Sequence, residues 1–165
     1  MEHEAAGLLA PLGAWLETTA ASAAVRRSLW AYPVASVLHV LGMGILLGSI
    51  VVLDLRLLGF ATAVPARALA ELAIPLAAFG LAIQIPTGAV MLAADAAALL
   101  GHPLFLAKLA LVALALLNVA LVHRAMGPDR VALDRPLSPA LRRGALVSLV
   151  SWPLVAALGR AVAYF

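Results

Sequence analysis

The sequence contains no cysteine. This absence excludes disulfide bonds, thiolate ligands for a metal ion and the covalent attachment of a c-type haem. Charged residues are also scarce, at 12% of the chain, whereas hydrophobic residues make up 65%. A soluble globular domain has roughly a quarter charged residues and about half apolar ones. The composition therefore predicts an integral membrane protein.

The spaced motifs that mark soluble enzymes are missing as well. The sequence has no Gly-rich phosphate loop, no zinc signature and no nucleophile–base–acid spacing. The net charge of +3 does not indicate a nucleic-acid partner, because the basic residues are scattered at the ends of apolar runs. Glu2 and Glu4 stand where a cleaved signal peptide would be basic, so no such peptide is expected.

Four apolar runs are long enough to cross a bilayer. A helix needs about 20 residues to span roughly 30 Å of hydrocarbon, and backbone groups in lipid must bond within their own segment. One run contains Gly44 and Gly48 in a G-x-x-x-G pattern, which is typical of close helix packing. The sequence therefore predicts transmembrane helices at residues 34–57, 72–95, 103–123 and 145–163.

An amphipathic segment precedes these runs. Leu8, Leu12 and Trp15 share one face of a helix, and polar residues follow them. This pattern is typical of a helix that lies in the membrane interface; the alternative is a frayed tail. The predicted fold class is all-α, with an N-terminal amphipathic surface helix in residues 1–28 and a four-helix transmembrane bundle in residues 29–165.

The distribution of lysine and arginine predicts the orientation of the bundle. Cytoplasmic loops carry an excess of these residues. Both connecting loops, residues 55–71 and 124–143, are therefore expected in the cytoplasm, with both termini outside, in a bacterial inner membrane. The basic residues of these loops are Arg56, Arg67, Arg124, Arg130, Arg135, Arg142 and Arg143, and those of the other side are Arg26, Arg27, Lys108 and Arg160.

His39 lies inside the first predicted span, roughly 10–14 Å from Trp30–Tyr32 at the outer interface, at 1.5 Å per residue. An ionisable side chain in hydrocarbon indicates a function or a dedicated partner. Ala35, Ser36 and Gly42 share its face and leave room beside the ring. Three interpretations stay open: an axial ligand to haem iron, a hydrogen bond to another helix, and proton transfer.

A polar stripe runs along one face of the second predicted span, from Gln84 to Asp95, and is expected to point into the bundle. Within it, Met91 is either a thioether ligand or a packing residue. Lys108 and Arg160 are expected near the level of Asp95, as an ion-pair cluster or an anion site, unless they only extend to the interface. The candidate cofactor-binding residues are His39, Gln84, Thr87, Met91, Asp95, Lys108 and Arg160, with His39 as the metal ligand.

A second polar cluster is predicted at the cytoplasmic end. Asp54 lies on the inward face near the end of the first predicted span, and its expected partner is His123 or Arg124 at the end of the third. Because His123 and His39 belong near opposite membrane faces, they are not expected to bind one metal. The cluster consists of Asp54, Arg56, Asn118 and His123.

These residues carry a resemblance to a known family. The segments LHVLGMGILLGSIVVLDLRLLG and TGAVMLAADAAALLGHPLFLAKLALVALALLNVALVHR, with the terminal GRAVAYF, resemble domain-of-unknown-function family 6644, small bacterial four-helix membrane proteins. The resemblance extends from about Leu16 to Phe165. Its motifs correspond here to His39, Asp54, Arg56, Asp95, Lys108, Asn118, His123, Gly159 and Arg160.

Two of the helices are also distantly similar to the membrane protoporphyrinogen oxidase family of haem biosynthesis and to copper-resistance membrane proteins. In the oxidase family a histidine and a lysine are implicated in haem binding. By position they correspond to His39 and Lys108. This resemblance implies haem b as a cofactor.

The leading hypothesis is a membrane redox protein that binds b-type haem or works with a quinone through His39. Lys108 and Arg160 would then neutralise haem propionates. The alternatives are a non-enzymatic membrane subunit or scaffold, whose polar groups only join helices, and a small proton-coupled carrier. The expected partners are the lipid bilayer, a quinone or redox partner, and a second copy of the chain. Whether the protein is an enzyme stays open.

Overall fold

The computed structural model describes residues 2–127, 130–131, 133 and 136–164. Side chains are described from residue 9 onward. Two residues of the sequence-based predictions fall outside this part of the chain, namely the side chain of Leu8 and the whole of Arg135.

The described residues form seven α-helices and no β-strand. Four of the helices are long and apolar enough to cross a membrane. The prediction of an all-α, multi-pass membrane protein is therefore confirmed. In chain order the helices are α1 (Glu2–Glu17), α2 (Ala20–Arg27), α3 (Ala31–Leu58), α4 (Ala66–Ala94), α5 (Ala96–Gly101), α6 (Pro103–Met126) and α7 (Pro139–Ala161).

Three of the four long helices, α3, α4 and α7, start earlier than the predicted spans, because a helix continues beyond the hydrocarbon. The first turns of α4 contain Arg67 and Glu71, which form an ion pair with 3.1 Å between Nε and Oε1. α7 starts with Pro139, whose fixed φ suits the first helical position. The Ser138 hydroxyl accepts a hydrogen bond from the Leu141 N–H at 3.3 Å and so caps α7. A prediction of spans from uncharged residues alone does not include these polar first turns of α4 and α7.

The long helices pack in the order α4, α3, α7, α6. α3 lies between α4 and α7, and α7 also packs against α6. α4 and α6 are described over their whole length, and no Cα atom of one lies within 8 Å of a Cα atom of the other. The bundle therefore has three closely packed helix pairs and one gap, between α4 and α6.

The tightest crossing joins α3 to α4 at two glycines. A Cβ atom at Gly80 would lie 2.7 Å from both the Gly42 carbonyl oxygen and the Leu46 backbone nitrogen, so only glycine fits there. Gly44 and Gly48 behave differently, because a Cβ at either one would meet no atom within 4 Å. The G-x-x-x-G pattern of α3 therefore makes no close contact within the described chain.

The two ends of the bundle differ. At the end called here the α5 end, α5 joins α4 to α6, and α1 and α2 pack there. At the opposite end, the loop end, residues 59–65 join α3 to α4 and residues 127–138 join α6 to α7. α1 contacts both α4 and α6, so it bridges the gap between them at the α5 end.

Close contacts fix α1 and α2 on the α5 end. A Cβ at Gly13 would lie 2.8 Å from the Cα of Ala97, so α1 approaches α5 at backbone distance. Glu17 Oε1 accepts a hydrogen bond from the Ala97 N–H at 2.8 Å, in the first turn of α5. Ser22 Oγ donates to the Ala93 carbonyl at 2.5 Å. The N-terminal segment is helical, as predicted, and is docked on the bundle.

We expect Gly80→Ala to lower the free energy of unfolding by about 1–3 kcal/mol, the usual cost of adding a group to a filled site. Equilibrium unfolding in mixed micelles of detergent and dodecyl sulfate, followed by circular dichroism, measures this change. Gly44→Ala is the matched control, because its Cβ meets open space. Equal losses in the two variants would contradict the crossing of α3 and α4 at Gly80.

Candidate functional site

The structure brings three predicted residues together between α3 and α4. His39 Nδ1 lies 2.9 Å from Thr87 Oγ1, and the Thr87 hydroxyl donates to the Ile83 carbonyl at 2.6 Å. Because the hydroxyl proton is used there, Thr87 Oγ1 accepts a hydrogen bond from Nδ1–H, and in the neutral ring the lone pair is then on Nε2. The Gln84 side-chain amide donates to the His39 carbonyl at 2.8 Å. These bonds join the two helices and orient the imidazole.

The surroundings of the imidazole come from two helices. A Cβ at Gly88 would lie 3.3 Å from His39 Cε1, so the ring packs against the backbone of α4. The Lys108 ammonium on α6 is close enough to act on the ring electrostatically. The Lys108 chain also extends towards α7, where a Cβ at Gly159 would lie 3.2 Å from Nζ. His39 and Lys108 therefore belong to one polar region at the α5 end.

The other predicted members of the cofactor site do not join this region through a described bond. Arg160 turns to Tyr164, with its guanidinium 4.6 Å from the ring centroid and a hydrogen bond to the phenol. Asp95 is exposed at the end of α4, and no ion pair joins it to Lys108 or Arg160 among the described residues. Met91 is partly buried on α4. The described residues therefore show no ion-pair cluster of Asp95, Lys108 and Arg160, and the anion site stays a prediction.

A cavity of about 190 Å³ lies between α3, α4, α6 and α7, towards the loop end. We call it the loop-end cavity. Its walls are mostly aliphatic, and three of the lining residues are buried and polar: Asp54 and Ser148, each 6% exposed, and Trp152, 4% exposed. Neither Asp54 Oδ2 nor Trp152 Nε1 has a hydrogen-bond partner among the described residues. An unpaired buried polar atom costs roughly 1–3 kcal/mol, so both atoms are candidates for binding a ligand.

The predicted cytoplasmic-end cluster is only partly assembled. Asp54 interacts with Ser148 on α7, and not with the predicted His123 or Arg124. Asn118 lines the cavity and donates to the Gly144 carbonyl at 2.9 Å, which joins α6 to α7. The prediction of a charged partner for Asp54 was wrong, because Asp54 interacts with Ser148, and no ion pair joins it to His123 or Arg124 among the described residues.

The other two residues of the predicted cluster, His123 and Arg56, form hydrogen bonds within or next to their own helices. His123 lies at the edge of the cavity, and its Nδ1 is 2.9 Å from the Val119 carbonyl of the same helix. Arg56 Nε donates to the Val64 carbonyl at 2.6 Å, which fastens the connection between α3 and α4. Arg56 therefore has a local structural contact and does not line the cavity.

Two residues of the cavity, Ser148 and Trp152, were missed by sequence reasoning, which treated α7 as apolar apart from Arg160. They are four residues apart and thus on one helical face, together with the small, buried residues Gly144 and Ala145. A small-residue face that also carries a serine and a tryptophan was the available signal. No group of three or more His, Asp or Glu side chains that could hold a metal ion occurs in the described part of the chain.

Comparison with known proteins gives one match. A family model described as a family of unknown function, DUF6644, matches residues 18–165. No curated protein and no solved structure matches the chain. The distant similarity to protoporphyrinogen oxidases and copper-resistance proteins is therefore not shown, and the haem prediction that it implied stays a prediction.

We expect a measurable energetic coupling between His39 and Thr87. In a double-mutant cycle of His39→Ala and Thr87→Val, the coupling should be about 0.6–1.7 kcal/mol, as for other hydrogen bonds between membrane helices. Equilibrium unfolding in mixed micelles measures it. The control cycle replaces His39→Ala with His123→Ala, which should be additive with Thr87→Val because His123 bonds within α6. Equal coupling in both cycles would contradict the His39–Thr87 bond.

Proposed function

The chain belongs to the DUF6644 family, whose function is unknown, and we propose that it is a membrane protein that binds a lipid-soluble ring compound of the quinone class in the loop-end cavity. The observation that carries this proposal is the pair of unpaired buried polar atoms, Asp54 Oδ2 and Trp152 Nε1, in a mostly aliphatic wall. An acceptor and a donor of this kind suit a small ring with oxygen substituents.

The size of the cavity supports a ring of this class. An apolar cavity of about 150 Å³ accommodates benzene, and the loop-end cavity measures about 190 Å³. The cavity therefore has room for a six-membered ring with small substituents. It is smaller than the roughly 300–1,000 Å³ of pockets that enclose a drug-sized molecule, so only the head of a larger lipid would lie inside.

The positions of the two polar atoms support a quinol in particular. Ser148 interacts with Asp54, and Trp152 follows Ser148 by four residues, which is a rise of about 6 Å along the axis. That rise is comparable with the length of a ring that has an oxygen atom at each end. One quinol hydroxyl donates to the Asp54 carboxylate, and the oxygen of the other accepts from the Trp152 indole N–H.

The alternative functions explain less of the structure. A scaffold accounts for the bonds among His39, Gln84 and Thr87, which join α3 to α4. It does not account for Asp54 and Trp152, because a purely structural pair would not keep unpaired polar atoms in a cavity. A proton-coupled carrier needs a path from His39 to Asp54, which lie about 22 Å apart along α3 at 1.5 Å per residue.

We further propose that the protein lies in a bacterial inner membrane with its loop end in the cytoplasm. Cytoplasmic loops are rich in arginine and lysine. The described basic residues at the loop end are Arg56, Arg67, Arg124, Arg130, Arg142 and Arg143, against Arg26, Arg27, Lys108 and Arg160 at the α5 end. The loop-end cavity then lies in the cytoplasmic half of the membrane.

We expect Asp54→Leu and Trp152→Phe each to weaken the binding of a short-chain 1,4-benzoquinol about tenfold, or ~1.4 kcal/mol, because each removes one hydrogen bond. Trp152→Phe should leave the stability unchanged, since an apolar ring replaces an unpaired donor, and Asp54→Leu should lower it by about 1 kcal/mol, because it removes the interaction with Ser148. Calorimetric titration in detergent measures the affinity, and unfolding in mixed micelles measures the stability.

The matched controls for Asp54→Leu and Trp152→Phe are substitutions at exposed positions. Glu71→Leu and Trp30→Phe make similar chemical changes at exposed sites that do not line the cavity. Both should leave quinol affinity unchanged. The proposal is wrong if the unmodified protein shows no saturable binding, or if the Asp54 and Trp152 variants lose stability and keep their affinity.

One observation favours haem as a second candidate function. Because Nδ1 of His39 is bonded to Thr87, Nε2 is the nitrogen left to ligate an iron, and Lys108 lies near it. A haem held by His39 would supply one-electron transfer. The loop-end cavity does not include His39, so a haem and a quinol would use different parts of the bundle.

Titration of the purified protein with haemin tests this candidate. We expect a saturable shift of the Soret band that His39→Ala removes, because the ligand nitrogen is lost. His123→Ala is the control, since this exposed histidine lies at the other end of the bundle and should leave the shift intact. An absent shift, or one that survives His39→Ala, would rule out haem at this site.

A further inference from the structure

The gap between α4 and α6 opens the loop-end cavity towards the surrounding lipid. No Cα atoms of the two helices come within 8 Å of each other, although both helices contribute residues to the cavity wall. Ala78 of α4 and Leu116 of α6 line the cavity and are at the same time exposed on the outside of the bundle. The cavity wall and the lipid-facing surface therefore meet at this gap.

The other sides of the cavity are closed by packing. α3 and α4 cross at backbone distance at Gly42 and Gly80. α6 and α7 are joined by the Asn118 bond to the Gly144 carbonyl, and α3 also packs against α7. Among the neighbouring helix pairs around the cavity, α4 and α6 are the pair whose described Cα atoms all lie more than 8 Å apart.

Both ends of the cavity are closed as well. At the loop end, buried apolar side chains of all four long helices meet, among them Leu57, Met126 and Leu141. Towards the α5 end, Leu46, Ala115 and Trp152 form a second buried cluster, and beyond it α1 contacts both α4 and α6. The opening is therefore lateral and faces the hydrocarbon.

We infer that the ligand enters and leaves the cavity sideways from the bilayer, between α4 and α6, and that its hydrocarbon tail lies in this gap while its polar ring lies inside. This inference rests on the proposed function, because it takes the quinone-class ligand as given. The α4 side of the gap has short side chains at Ala73, Ala77 and Ala78. Small, uncharged walls of this kind suit a flexible isoprenoid or alkyl tail, which contacts them without the loss of a hydrogen bond.

Access from lipid also agrees with the ligand class. A long-tailed quinol partitions into the bilayer, so a cavity that opened only to water would require the whole tail to leave the hydrocarbon. Each buried CH₂ group contributes about 0.8 kcal/mol to partitioning, and a lateral opening avoids that cost. The tail then stays in an apolar environment throughout binding.

The test compares Ala78→Trp with Ala82→Trp in nanodiscs that contain a long-tailed 1,4-benzoquinol. Both alanines are exposed on α4 one turn apart, but only Ala78 lines the cavity. We expect Ala78→Trp to slow association about tenfold or more, as binding that needs a rearrangement does, and Ala82→Trp to leave the rate unchanged. Leu116→Trp on α6 should act like Ala78→Trp.

The outcomes separate this inference from the proposed function. If the Ala78 and Leu116 variants bind at the unmodified rate while Asp54→Leu still weakens binding, the lateral route is wrong and the binding site stands. If the unmodified protein binds no quinol, both are wrong. If Ala78→Trp instead converts a dimer into a monomer with the binding rate unchanged, a second copy of the chain fills the gap, which also overturns the route. Unfolding in mixed micelles confirms that each variant is folded.

Discussion

The constraint on which this structure depends is that a polar group in hydrocarbon has no water to bond with. Each closely packed helix pair has at least one such contact: His39 with Thr87 between α3 and α4, Asp54 with Ser148 between α3 and α7, and Asn118 with a carbonyl of α7. Among the described residues, no hydrogen bond joins α4 to α6, and these two helices stay apart. The polar contacts thus coincide with the packing order, and the gap falls where no polar contact is made.

Much of the fold could be predicted, because membrane thickness imposes a length that apolar runs reveal directly. The four spans follow from it, and the helical N-terminal segment follows from its amphipathic pattern. The grouping of His39, Gln84 and Thr87 was also predictable, since a polar stripe on one helix must meet a partner on another. The residues at which α4 and α7 start could not be predicted, because a helix continues through polar turns outside the hydrocarbon.

The cavity could not be predicted, because it depends on how each helix is rotated and which helices are neighbours. Gly80 and Gly44 look alike in the sequence, yet one sits at a backbone crossing and the other faces open space. Many small packing contacts determine which glycine lies at the crossing, and no local sequence pattern predicts those contacts. For the same reason Asp54 was assigned a charged partner on α6, whereas Ser148 of α7 lies beside it.

The docking of the N-terminal helices has a consequence for how the protein is made. Ser22 bonds to a carbonyl 71 residues further along the chain, and Glu17 bonds to a backbone N–H 80 residues further. Because synthesis proceeds from the N-terminus, neither partner exists until α3 and α4 have been made. The segment that leaves the ribosome first is therefore secured only after two spans have followed it, and the helix that bridges α4 and α6 reaches its position late in biogenesis.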